Sequence, residues 1–226
     1  MARPKTIDPE ARTKIMVAAE RLFAARGYDG TAVRDIAKAA NVNGAMIHYY
    51  FGNKEALYHA IIESAATTIR SIMIETTAGS DSIEQKLLHF VEGYAGYIFS
   101  HPDLARTLHR ELLSGGKHLK EIIQYPRANY ELLREALAKG VRSGELRQID
   151  IDLAPISLMG MILVFQLIHP VMSVVTSVAT DERAIRRLAV HTVDLFLNGA
   201  KKPGPAKSKK IANTKPGQKR RVQVKR

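Results

Sequence analysis

Apolar residues recur at helical spacing along most of the chain before residue 199, and no stretch alternates apolar and polar positions over several residues. An all-α fold follows. From Pro9 to Arg26, Ile15, Ala19, Leu22 and Phe23 share one face with charges opposite, and Gly27 stands where a helix C′ residue belongs. Thr31 is placed to cap a short helix carrying Val33, Ile36 and Ala37, although Arg34 rules out a capping box. Ala40-Asn41-Val42 supplies a tight turn, in which Asn41 suits a positive φ better than any residue but glycine. Asn43 then caps a second short helix, Gly44 to about Tyr50, with Ile47 and Phe51 inward. Gly52-Asn53 breaks it before Lys54.

The pattern continues in longer helices. Lys54 to about Ala78 carries Leu57, Ile61, Ala65, Ile69 and Ile72 on one face and is roughly 37 Å long at the helical rise. Asp81 or Ser82 opens the next helix, which runs to about Ser100 with Leu87, Val91, Tyr94 and Ile98 inward. His101-Pro102 breaks it and introduces Asp103 to Leu113; Ser114-Gly115-Gly116 is a loop. Lys117 to Val141 reads as helix interrupted near Pro126, and Asp181 to Asn198 is amphipathic through Ile185, Leu188, Val193 and Phe196. Between them, Leu153 to Thr180 contains no charged residue. That length fits a membrane span. Pro155, Gln166, His169, Pro170 and five Ser/Thr residues favour instead a helix packed on its own core by one face and on a partner by the other.

Two short helices around a small-residue turn make a helix-turn-helix, whose second helix enters a DNA major groove. Thr31 to Lys54 resembles the DNA-binding domain of the TetR/AcrR family of bacterial transcriptional regulators. The resemblance rests on GYDGT (Gly27 to Thr31), VRDIAKAANVN (Val33 to Asn43) and IHYYFGNKEALY (Ile47 to Tyr58), and covers roughly residues 10 to 60. Two departures stand out: Gly44, where relatives often carry a longer polar or basic residue, and Ala45, where they often have glycine. A composition shift after Gly199 sets off a basic tail over 200–226. The resemblance implies a DNA-binding domain over 1–53 and a helical effector-binding and dimerisation domain over 54–199. It also implies a homodimer through the last two helices, about 152–198, and a small, lipophilic effector that releases the protein from a palindromic double-stranded operator.

Charge sharpens this picture once it is divided. The net charge is +12, but residues 200–226 hold eleven Lys/Arg and no acid. Residues 1–55 carry nine basic and six acidic groups, and 56–199 fourteen and sixteen, so the helical part is nearly neutral. The tail, Pro/Gly/Lys-rich with almost no apolar residues, is expected to be disordered, and either adds salt-sensitive phosphate contacts or only solubilises the chain. It also supports a second reading, a nonspecific architectural DNA-binding protein. Cysteine is absent, which excludes disulfides and thiolate metal sites. MARPKTIDPEARTK lacks the apolar run of a signal peptide, and a cytoplasmic protein is expected. No HExxH, P-loop, GxGxxG or GxSxG occurs, so no catalysis, cofactor or metal is expected.

The candidate DNA-binding residues are Thr31, Arg34, Asn43, Gly44, Ala45, His48, Tyr49, Tyr50 and Lys54. Small residues at Asn43-Gly44-Ala45 bring a helix N-terminus close to phosphate. His48-Tyr49-Tyr50 cannot all point inward on one helix, and Lys54 adds a cation beside the same strand. For the effector, Tyr94, Tyr97, His109, Gln166 and His169 are the polar groups among apolar helices best suited to a ligand pocket.

Overall fold

The computed structural model describes residues 9–78, 81–115, 118, 124–175 and 180–198. Among these residues the regular elements are nine helices: α1 (Pro9–Arg26), α2 (Val33–Ala39), α3 (Gly44–Phe51), α4 (Lys54–Thr77), α5 (Ile83–Ser100), α6 (Pro102–Leu113), α7 (Gln124–Ser143), α8 (Ala154–Val175) and α9 (Glu182–Asn198). The basic tail, residues 200–226, lies outside the described residues, as do Arg3 and Lys5 ahead of α1.

Two apolar cores organise the chain. Ile15, Phe23, Ile36, Ile47, Leu57, Tyr58, Ile61 and Leu104 build a head from α1, α2, α3, the start of α4 and one residue of α6. Met73, Leu87, Phe90, Tyr94, Ile98, Ala105, Leu133, Leu137, Leu158, Ile162 and Val193 build a larger body from α4, α5, α6, α7, α8 and α9. The helix α4 belongs to both: Leu57, Tyr58, Ile61, Ile62 and Ala65 enter the head core, Ile69 and Met73 the body core. Gly93 of α5 is packed so closely on α4 that a Cβ there would stand 2.8 Å from Ile72 Cγ2.

Local signals placed most helix ends. Gly27 takes φ 76° and its N–H donates to the Phe23 carbonyl at 2.8 Å, closing α1. Ser82 and Gln85 form a reciprocal capping box on α5, and Pro102 opens α6, where its missing N–H costs nothing. One expectation needs correction. Ala32, not Thr31, is the N-cap of α2 and makes no side-chain cap; Thr31 is buried and its hydroxyl lies 2.8 Å from the Gly27 carbonyl and 3.3 Å from that of Leu22. Pro126 lies in α7, the third residue of its described span, and the expected helical stretch ahead of it, 117 and 119–123, lies outside the described residues. Ile162 is fully buried in the body core, and the outward face of α8 is formed by Ile156, Met161, Val164, Leu167, Ile168, Val171, Val174 and Val175.

By length and composition α8 is apolar enough to cross a membrane, with a mean hydropathy of 2.0 over its best window.

Candidate nucleic-acid interface

The turn between α2 and α3 closes without strain because each special position holds a suitable residue. Asn41 takes φ 54°. The Ala40 N–H donates to the Ile36 carbonyl at 2.8 Å and the Val42 N–H to that of Ala37 at 3.0 Å. Asn43, extended at φ −71°, caps α3: its side-chain oxygen accepts from the Ala45 N–H at 2.9 Å. Asn43 and the Ala45 amide are thus committed to starting the helix.

Ile47 anchors α3 from below, fully buried in the head core, and fixes which face looks out. That face carries His48 and Tyr49, the latter 62% exposed, with Tyr50 half-buried beside it at 5.2 Å ring to ring, edge on. His48 Nδ1 lies 2.8 Å from the Gly52 carbonyl. A carbonyl only accepts, so Nδ1 donates and Nε2 faces outward. Phe51 is braced by the Arg12 guanidinium, 5.2 Å above its ring. At Gly44 an added Cβ would meet nothing within 4 Å, so the start of α3 has room for a closely approaching partner. Arg34 extends from α2 with 90% of its side chain exposed and only a loose approach to Asp35, 3.7 Å.

Lys54 behaves differently from the expectation. Its ammonium donates to the carbonyls of Tyr28 at 2.9 Å and Thr31 at 3.0 Å, and sits 4.1 Å from the centre of the Tyr28 ring. The structure therefore brings Lys54 and Thr31 together, but both side chains serve the head's interior. What Lys54 leaves outward is the N-terminus of α4, where Asn53 accepts from the Ala56 N–H at 2.7 Å. Tyr28, which the sequence reading passed over inside GYDGT, is the platform for this knot. No local pattern marks it, because its partner lies 26 residues away.

The effector candidates scatter. Tyr94 is buried in the body core and stacked on Phe90 at 5.8 Å; burial pushes its hydroxyl well above the usual tyrosine range. Tyr97 packs against both cores with its ring 4.4 Å from His101, and burial raises it too. His109 of α6 and Gln166 of α8 come closest to a shared site. The His109 ring addresses the Leu163 carbonyl, one turn from Gln166, and both His109 Nε2 and Gln166 Oε1 are buried without a hydrogen-bond partner. Burial, opposed by the Leu163 carbonyl, holds the His109 imidazole below its ordinary pKa and hence neutral. His169 lies against Phe99 and Phe165, at 5.6 and 6.0 Å.

Among the described residues no group of three His, Asp or Glu side chains is arranged as metal ligands would be.

Comparison with known proteins gives two family matches. Residues 15–61 match bacterial regulatory proteins of the tetR family, and residues 80–164 match the tetracyclin repressor-like C-terminal domain. The chain is 34% identical over 115 residues, half of its length and 55% of the relative's, to the probable HTH-type transcriptional regulator YttP of Bacillus subtilis. It is 29% identical over 110 residues, 49% of its length and 52% of the relative's, to the HTH-type transcriptional repressor NicS of Pseudomonas putida. The chain spans about half the length of these curated relatives. Among solved structures, the fatty acid degradation regulator FadR from Bacillus halodurans superposes with a TM-score of 0.72 at 24% identity, covering 87% of this chain and 98% of that one. FadR from Bacillus subtilis in complex with stearoyl-CoA gives 0.68 at 22%, covering 83% and 98%. At these identities the likeness concerns the fold.

Proposed function

The chain belongs to the tetR family of bacterial regulatory proteins, and on that premise we propose that it is a homodimeric transcriptional repressor, released from a palindromic operator by a small lipophilic effector. The observation that carries the DNA reading is α3 itself, pinned from below by Ile47 and turning His48 and Tyr49 to solvent. Arg34 and the N-termini of α3 and α4 supply the positive flanks for phosphate, which position the helix while His48 and Tyr49 meet base edges or backbone. The apolar outer face of α8 supplies the second copy's docking surface, so that two heads meet two half-sites one helical turn apart. The same face accounts for the apolar run without a membrane, and the protein works in the cytoplasm.

Selection of duplexes from a random library by the full chain, followed by anisotropy titrations at fixed salt, tests this. A palindromic consensus is the expected result; enrichment of no sequence overturns the repressor reading. Truncation after Gly199 separates it from the architectural alternative. The truncated chain is expected to keep its sequence preference and to show a shallower salt dependence, since eleven tail cations leave with the segment. Loss of nearly all binding on truncation would favour the architectural protein.

For the effector, the unpaired atoms of His109 and Gln166 are both acceptors, the imidazole being neutral with its N–H toward Leu163. The effector therefore presents a hydrogen-bond donor on an apolar body, because a buried acceptor left unmade costs about 1–3 kcal/mol. Of octadecanol, methyl stearate and stearoyl-CoA, the alcohol is expected to raise the melting temperature by several degrees at about a hundred times its Kd. The ester, which has no donor, gives no rise. His109→Phe and Gln166→Leu should each abolish the effect of the alcohol; a response to the ester equal to that of the alcohol overturns the donor assignment.

A further inference from the structure

The seam between α6 and the head holds a polar cluster that neither DNA contact nor effector binding uses. Along it, Leu104 enters the head core and Leu108 packs against it, and the Arg110 guanidinium reaches the Ala25 carbonyl at the end of α1 at 3.4 Å. At its lower end lies Glu111, 4% exposed. One of its carboxylate oxygens accepts from the Tyr58 hydroxyl at 3.0 Å and from His118 Nδ1 at 3.1 Å; the other accepts from the His118 backbone N–H at 2.6 Å. The His118 ring then lies 4.2 Å from that of Tyr28 and 5.6 Å from that of Tyr58. Tyr28 in turn carries the Lys54 ammonium, and Lys54 begins α4 three residues after α3 ends.

These contacts form a continuous path from α6 of the body to the reading helix. We infer that Glu111 and His118 are positioning residues that latch the body to Tyr28 and Tyr58 and so set the pose in which α3 is presented. The inference rests on the reading of α3 as the DNA-contacting helix. A buried carboxylate is expensive to desolvate, and the role assigned to it here is to fix one arrangement rather than to add net stability. Three donors hold the carboxylate and two tyrosine rings flank the imidazole, so both ends are satisfied together with the head docked as it is. An apolar seam alone, Leu104 and Leu108 against Phe23 and its neighbours, has no such directionality and permits sliding.

The absence of cysteine makes the test clean. Spin labels at Lys38→Cys on α2 and Lys139→Cys on α7, both exposed, report the distance from head to body by double electron–electron resonance in full-length chain diluted with unlabelled protein. The parent is expected to give one narrow distance distribution. Glu111→Gln and His118→Ala are expected to broaden it or add a second population while far-ultraviolet circular dichroism stays unchanged. Should either fail to fold, His118→Phe, which keeps the ring stack and removes the donor, reads the same distance. A distribution as narrow as the parent's in the folded variants overturns the latch. In the DNA arm, His118→Ala is expected to weaken binding to the selected duplex about 10-fold, within the usual range for coupled sites. If the parent selects no duplex, the repressor reading fails, and the distance measurement still decides the latch.

Discussion

Val171→Glu is expected to turn the proposed dimer into a helical monomer and to weaken operator binding by at least 100-fold. Val171 is 70% exposed on α8, in a row with Val164, Leu167, Ile168, Val174 and Val175. Monomeric proteins rarely leave so large a contiguous apolar strip in water, and a carboxylate in its middle must be desolvated when a second copy docks. The folded monomer tolerates the change, because the body core is held from the opposite face by Leu158 and Ile162. Binding falls far more than any single contact explains, since two linked heads gain 10²–10⁴-fold over one through effective concentration. Sedimentation velocity and anisotropy on the same sample check both halves. A dimer that persists refutes the interface. Ile162→Glu is the wrong probe, as it would place a charge inside the body.

His48→Ala and Tyr49→Ala are each expected to weaken operator binding by about 10- to 100-fold, the effect of losing one specific contact worth about 1–3 kcal/mol. Both side chains are exposed, and His48 makes only a local bond to Gly52, so the melting temperature should move by no more than a degree or two. Lys54→Ala provides the contrast. It removes two hydrogen bonds and a cation–π contact that tie α4 to the loop after α1, and is expected to lower the melting temperature together with the affinity. Anisotropy at fixed salt beside thermal unfolding separates the two classes. Unaltered binding in both His48→Ala and Tyr49→Ala would move the reading face elsewhere on the head.

The contrast marks where sequence reasoning reaches and where it stops. Asn41, Gly27, Asn43, Ser82 with Gln85 and Pro102 each declare a backbone geometry within four residues, and the helix ends follow from them. The apolar face of α3 was legible in the same way, because Ile47 sits at helical spacing from Phe51. Lys54 was not: a cation at a helix start looks ready for phosphate, and only the fold brings the Tyr28 carbonyl to it across 26 residues. Glu111 was equally silent. Its partner Tyr58 is 53 residues distant, and a glutamate near a helix end otherwise reads as a solvated charge. Of the five effector candidates, His109 addresses the Leu163 carbonyl one turn from Gln166 while Tyr94 is a core aromatic, a distinction that depends on how α6 meets α8 and has no local signature.

The helix shared by both cores has a mechanical consequence. From Met73, gripped by the body, to Lys54 the rod is roughly 28 Å long at the α-helical rise. A pivot of only about 5° there sweeps its far end by roughly 2.5 Å, and two such rods related by a two-fold axis change their separation by up to twice that, more than the 3.4 Å between stacked base pairs. In the proposed dimer, a small repacking of the body around an effector would thus be geared up into a mismatch of a whole step at the opposite end of the rod.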